Sequence, residues 1–311
     1  MKDWWQVTFP KGRQSITISD AHGYPVQIAY GEIGTGRPIF FLHGMGSWSY
    51  NWRHSIQPLS KHFRVICFDA KGYGFSEKPL LRREHSGHQV IEFERIIQSL
   101  TDEPVAIVAE SLGGLIALAL AQEYPQLIAR LVVVNVPIFA ESLPHWGMSL
   151  LAQTPLEVIQ AIDTLALANL LAPLVREVMA IERRRVLFDP SVLTQEDVYW
   201  ITYPYTELRG TLTKVAEEVQ IAVREIENLK ANKPNLLSKI QNHLSSIHCP
   251  TLVLWGKQDS WFPAAHGEKL HQHLPNSRLE ILPNCCHDAS TGAYKVLNAV
   301  ILEFLQDTQF C

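Results

Sequence analysis

Short apolar runs alternate with amphipathic stretches through the first half of the chain, and this alternation predicts strands and helices in turn. QSITISD (14–20) and VQIAYGEIG (26–34) read as two strands joined across His22-Gly23-Tyr24-Pro25. PIFFLHG (38–44), RVICFDAKG (64–72), VAIVAE (105–110) and LIARLVVVNVP (127–137) are apolar runs of buried-strand type. Helical patterns fill the gaps over Tyr50 to His62, over Ser86 to Leu100, and after Ser111. From about Ile138 to Lys230 strand signals vanish and helical periodicity takes over, broken by proline and glycine. Strand character returns at TLVLWGKQD (251–259) and RLEILPN (278–284), and a closing helix is expected from Ala289 to Gln306. The order predicts an α/β protein, with a mostly parallel sheet covered by helices on both faces. Residues 1–137 and 231–311 would form this core, with an all-helical cap, 138–230, inserted between them.

One junction in the pattern carries chemistry. VAIVAE leads into Glu110-Ser111-Leu112-Gly113-Gly114, and a helix follows at once. Strand, serine on a tight turn, then helix is the context of a nucleophile elbow. The turn lifts a weakly nucleophilic hydroxyl clear of the sheet and sets it at a helix N-terminus. Ala109 stands where the motif has its first glycine, and it keeps that position small. The plainer reading is a serine that only caps the helix.

A serine nucleophile needs a base, and the base an orienting acid. Catalytic groups in parallel sheets lie beyond the carboxyl ends of strands. Asp259 is the first carboxylate past TLVLWG, and His287 lies in the loop after RLEILPN, so the chain order is Ser111, Asp259, His287. An oxyanion hole is expected from the amides of Leu112 and Met45, the latter in the turn His43-Gly44-Met45-Gly46. His43 reads as a residue that fixes this loop at the pocket edge. Glu110 either borders the pocket or hydrogen-bonds at the top of the sheet. Asp69, among glycines in FDAKGYGFSEKP, reads as a turn residue bonding loop amides.

Composition narrows the field. The chain has 311 residues, a net charge of −4 and 19% charged residues, so it offers no basic footprint for nucleic acid. Five cysteines (Cys67, Cys249, Cys285, Cys286, Cys311) lack disulfide or metal-type spacing, which favours a reducing cytoplasm and no metal. Vicinal Cys285-Cys286 read as space-filling beside His287. The apolar stretch Ser149 to Val175 is interrupted by Gln153, Glu157, Gln160 and Asp163, as in amphipathic helices and unlike a membrane span. Trp4 and Trp5 are expected to pack at the sheet edge. In the cap, Trp146, Trp200, Tyr203 and Tyr205 are candidates to line an apolar pocket above Ser111 or to form the cap's own core. Arg183-Arg184-Arg185 reads as a solvated helix face, with an anion site as the alternative.

PIFFLHGMGSWSYNW, FDAKGYGFSEKP, VAESLGG, PTLVLWGKQDSWFP and the His287 loop together resemble the α/β-hydrolase superfamily, in the branch with a helical cap after the sixth strand. The resemblance implies eight strands with the second antiparallel, a triad of Ser111, Asp259 and His287, and Met45 and Leu112 as oxyanion amides. The chain departs from the pattern at Ala109, and at Cys286 where glycine often precedes the histidine. Serine at 111 disfavours the aspartate-nucleophile members, the haloalkane dehalogenases and epoxide hydrolases. Asn135 occupies the place from which some members take the triad acid, and it cannot carry the charge. The expected activity is cofactor-independent hydrolysis of a small carboxylic ester with an apolar moiety. Cleavage of a carbon–carbon bond in a vinylogous diketone ranks lower, because the oxyanion loop is short and Asp288 stands where tryptophan is usual. Thioester, lactone and amide cleavage, or a slow-turnover ligand receptor, are the further alternatives.

Overall fold

The apolar runs pair into one eight-stranded sheet in the order β1-β2-β4-β3-β5-β6-β7-β8. The computed structural model describes residues 2–79 and 83–307, so Cys311 lies outside the described residues. The strands are β1 (Gln14–Ser19), β2 (Pro25–Ile33), β3 (Pro38–Leu42), β4 (Arg64–Phe68), β5 (Val105–Glu110), β6 (Ile128–Val134), β7 (Thr251–Gly256) and β8 (Ser277–Leu282). β2 runs antiparallel to β1 and β4, and the remaining neighbours are parallel. Every residue of β3 and β7 is buried, which is why these strands read as unbroken apolar runs.

Helices cover both faces. Their ranges are α1 (Trp4–Thr8), α2 (Arg53–Ser60), α3 (His88–Leu100), α4 (Leu112–Glu123), α5 (Trp146–Gln153), α6 (Leu156–Thr164) and α7 (Leu167–Leu170). α8 (Ala172–Arg185), α9 (Gln195–Thr206), α10 (Thr211–Lys230), α11 (Leu236–Asn242), α12 (Ala264–His273), α13 (Ala289–Gly292) and α14 (Tyr294–Gln306) follow. Alternate strand residues feed two cores. Phe40, Ile107, Leu131 and Val253 pack with α3, α4, α11 and α12, while Phe41, Val108, Val132 and Leu252 pack with α1, α2 and α14. α5 to α10 lie between β6 and β7, and Ile226 near the end of α10 reaches into the first of these cores. Among the described residues, no helix is long and apolar enough to cross a membrane.

Two expected helices are divided, each for a local reason. Tyr50 to His62 becomes a 3-10 turn (Ser49–Trp52) followed by α2, which contains Pro58. Proline has no N–H for the carbonyl of His54, and Asn298 Nδ2 donates to that oxygen instead at 2.8 Å. The closing helix splits at Ala293, whose φ of −126° is not helical. α1 forms where no helix was expected, capped by the Asp3 side chain, which accepts from the Trp5 N–H at 2.8 Å. Its Trp4 and Trp5 are buried among Phe9, Trp48, Tyr50 and Phe75.

Sheet register sets the chemistry. Leu42 pairs with Ala109, Glu110 with Val134, Val134 with Leu254, and Gly256 with Leu282. The carboxyl ends of β3, β5, β6, β7 and β8 therefore lie level. The loops carrying Met45, Ser111, Asn135, Asp259 and His287 leave from one edge.

Candidate active site

Ser111 is the single residue between β5 and α4, and it adopts φ 55°, ψ −124°. This is a costly conformation for a residue with a Cβ, and it persists only where the surroundings enforce it. Its N–H donates to Val134 O at 2.8 Å, tying the elbow to β6. Gly113 explains why the elbow is tight: a Cβ there would lie 2.6 Å from His43 O and 2.8 Å from Leu42 O. At Gly44 an added Cβ would stand 3.1 Å from the Ser111 Cβ. The β3 turn and the serine are thus in backbone-close contact.

The three predicted residues come together. His287 Nε2 is 3.1 Å from Ser111 Oγ, and His287 Nδ1 is 2.9 Å from Asp259 Oδ2. Asp259 Oδ1 accepts the N–H groups of Trp261 at 2.8 Å and Phe262 at 3.1 Å, which fixes the carboxylate plane. Asp259 and His287 are both buried. Leu112 opens α4, so its N–H has no carbonyl partner within the helix and lies next to the nucleophile in the chain. Met45 lines both cavities that reach Ser111, and Tyr205 of α9 donates its hydroxyl to Gly46 O at 2.7 Å, bracing the same turn.

His43 does not border the cavity, contrary to its expected place there. It is buried, its Nδ1–H donates to Gly44 O at 2.9 Å, and Nε2 accepts the Ala70 N–H at 3.1 Å. Burial pushes its pKa down, so the ring is a neutral brace of the loop. Asp69 accepts from the N–H and hydroxyl of Ser49 and from the Phe75 N–H, as a turn residue does.

A cavity of about 420 Å³ opens beside Ser111, lined by Glu110, Met179, Arg183, Tyr205 and Trp261 among others. A smaller recess of about 120 Å³, which also reaches Ser111, is walled by Leu115, Ile116, Ile221, Ala222 and Phe262. Of the cap aromatics proposed as lining, Tyr205 takes that place and three do not. Trp146 is 64% exposed. Trp200 and Tyr203 stack with Trp48, Tyr50 and Phe75 in an aromatic core between cap and sheet, where their area is better desolvated. Arg183 Nη1 faces Asp288 Oδ2 at 3.3 Å on the wall of the larger cavity.

Several supporting roles escaped the sequence reading. Trp261 lines both spaces and lies with its ring centroid 4.6 Å from that of His287. Asn135 Oδ1 accepts the Gly256 N–H at 2.8 Å while Nδ2 donates to His287 O at 2.7 Å, so it joins the end of β7 to the histidine loop. An amide can do both, whereas a carboxylate has no hydrogen to donate. Asn51 and Ser290 form a buried cluster with Glu110. The only available signal for Trp261 was its position two residues after the acid.

A level row of strand ends carrying a serine elbow, a histidine and an acid defines a hydrolase-type sheet. Residues 37–291 match the model of the alpha/beta hydrolase fold family, and the chain belongs to that family. It is 26% identical over 301 residues to a 2-hydroxy-6-oxononadienedioate/2-hydroxy-6-oxononatrienedioate hydrolase of Comamonas testosteroni, covering 93% of this chain and 95% of the relative. It is 25% identical over 296 residues to epoxide hydrolase 4 of Mus musculus, covering 90% and 76%. Its backbone is similar to that of a thermophilic esterase from Thermogutta terrifontis, with a TM-score of 0.67, 21% identity, and coverage of 94% and 98%. These relatives differ in the bond named, so substrate class rests on this chain's own residues.

Proposed function

We propose that the protein is a serine hydrolase acting on carboxylic esters with an apolar moiety. The observation that carries this reading is the unbroken contact Ser111 Oγ, His287, Asp259 beside two largely apolar cavities. His287 Nε2 takes the hydroxyl proton as Ser111 Oγ attacks the carbonyl, and Asp259 stabilises the resulting imidazolium. The amides of Leu112 and Met45 receive the developing oxyanion, where removal of one donor costs about 3–4 kcal/mol of barrier. Collapse expels the alcohol, which takes the proton from His287. Water, deprotonated by the same imidazole, then releases the acid from the acyl-enzyme. An ester has a group on each side of the reacting carbon, and two largely apolar recesses that both reach Ser111 suit that shape.

A second reading, hydrolysis of a carbon–carbon bond, draws on the name of the Comamonas relative and on Arg183 at the cavity wall. A substrate named as a dioate carries two carboxylates. Here Arg183 is already paired with Asp288, and Glu182 shares the wall, so the charge balance favours a neutral ester. The test is labelling by a fluorophosphonate, comparing the protein with Ser111→Ala, followed by turnover of neutral esters and of a dienoate diketone. Labelling that requires Ser111, with esters turned over faster, supports the proposal. An unlabelled protein removes the activated serine, and faster cleavage of the dienoate transfers the assignment to the second reading.

A further inference from the structure

Glu110 sits at the end of β5, immediately before Ser111, and its carboxyl group is buried. Oε1 accepts the N–H groups of Ala289 at 2.9 Å and Ser290 at 3.2 Å, both in the first turn of α13, which follows the His287 loop. Oε2 lies 2.6 Å from Asn51 Nδ2 and 2.8 Å from Ser290 Oγ. Ser290 Oγ is also 2.8 Å from Asn51 Nδ2 and 3.1 Å from Asp288 Oδ1. Asp288 in turn accepts the Thr291 N–H on Oδ1 at 3.1 Å and meets Arg183 with Oδ2.

Counting hydrogens shows what this cluster requires. Glu110 Oε2 and Ser290 Oγ lie so close together that they share the donation of Asn51 Nδ2. One hydroxyl hydrogen then remains for two carboxylate contacts, Glu110 Oε2 and Asp288 Oδ1. With both acids ionised, one close oxygen pair has no hydrogen between its members. Turning the Asn51 amide around makes the deficit worse, since its carbonyl would then face Glu110 Oε2. One added proton fills every contact: Glu110 Oε2–H donates to Ser290 Oγ, and Ser290 O–H donates to Asp288 Oδ1. The other contacts of Asp288, with Arg183 and the Thr291 N–H, bring hydrogens of their own.

We propose that Glu110 is a positioning residue whose protonated side chain clamps the His287 loop to the end of the nucleophile strand, and that loss of this proton slackens the clamp. Burial, and then the Asp288 charge, push the Glu110 pKa up from 4.5 to about 7, against opposing effects from His287, Ser290 and Asn51. The other titratable or charged groups around the clamp are Cys285 on the same loop, Glu182 and Arg183 on α8, and Arg53 and His54 on α2. The sign follows from the raised value. The native chain keeps a proton that the unfolded chain releases between 4.5 and about 7. The group's contribution to stability is therefore complete below 4.5 and lost as pH rises through about 7. The hold on His287 weakens over the upper part of that range.

The proposal rests on the Ser111–His287 reading of the site, and the test separates the two. Fluorophosphonate labelling rates are measured from about pH 6.5 to about pH 9 for the protein and for Glu110→Gln, whose amide stays neutral. The native rate is expected to fall at least about fivefold across this range, whereas the ratio of the two end-point rates in E110Q is close to one. Infrared spectra of the unmodified protein follow the proton directly: a protonated-carboxyl stretch should be present near pH 6 and bleach with the same midpoint as the labelling rate. No labelling at any pH overturns the hydrolase reading, and with it the clamp's effect on reactivity. Labelling that is rapid and flat with pH, or no protonated-carboxyl stretch above about pH 6, overturns the clamp alone.

Discussion

The two oxygens of Asp259 have different partners, and that asymmetry decides what a conservative substitution does. Oδ1 is held by the N–H groups of Trp261 and Phe262, and Oδ2 faces His287 Nδ1. In Asp259→Asn the two backbone donors keep the amide oxygen at the Oδ1 position, so the amide nitrogen must turn to the imidazole. Nδ1 then becomes an acceptor and the ring proton moves to Nε2, where it faces Ser111 and can no longer take its proton. The expected loss in kcat for ester hydrolysis is about 10⁴-fold, the size seen for this change in serine hydrolases, with the fold unchanged by circular dichroism. A loss below tenfold would mean that Asp259 does not set the tautomer. At this scale the sequence discloses residues with distinctive chemistry placed just past a strand. Ser111, Asp259 and His287 meet that condition. Asn135 also stands just past a strand, but its amide, like the amide of Asn51 and the hydroxyl of Ser290, gains meaning only from the partner that folding brings to it.

At the scale of elements, α4 approaches the end of β3 more closely than any side chain would allow. Gly113→Ala would place a Cβ 2.6 Å from a backbone carbonyl oxygen, which cannot rotate aside. The first turn of α4 must then move away, carrying the Leu112 N–H and the Ser111 elbow with it. Overpacking of this kind costs about 1–3 kcal/mol. The expected outcome is a lower midpoint in urea and an equal fall in kcat and kcat/KM with KM little changed, since the proposed oxyanion donor is displaced. Wild-type kcat with only the stability change would show that the elbow tolerates the shift. The strands were readable because the central ones are buried on both faces and the edge strand β1 alternates. The divided helices were not, since their breaks depend on Asn298 meeting a carbonyl freed by Pro58 and on the backbone turn at Ala293. Cap aromatics misled for a related reason. Composition cannot distinguish an aromatic side chain facing a cavity from one packed against Trp48.

Across the whole molecule, the helices between β6 and β7 determine how much substrate the sheet edge can hold. The larger cavity opens beside α8, where Val178 lines the wall and is still 47% exposed. The narrower recess, about 120 Å³, is lined by α4 and α10. Ala222 on α10 and Ile116 on α4 both line it, so a larger side chain on α10 takes its room directly. Each methylene moved from water into such a recess is worth about 0.8 kcal/mol, or about fourfold in kcat/KM if the contact is kept in the transition state. In a series of esters of increasing acyl length, kcat/KM should climb by up to this factor per carbon until the recess is full. In Ala222→Phe the climb should stop earlier, and the ratio of kcat/KM for a chain three methylenes longer to that for acetate should fall at least about tenfold. The comparison is internal to each protein, so a general loss of folded enzyme cancels. If the ratio is unchanged, the acyl chain does not enter this recess. The larger cavity below α8 must then hold it, and Met179 becomes the position at which added bulk shortens the accepted chain.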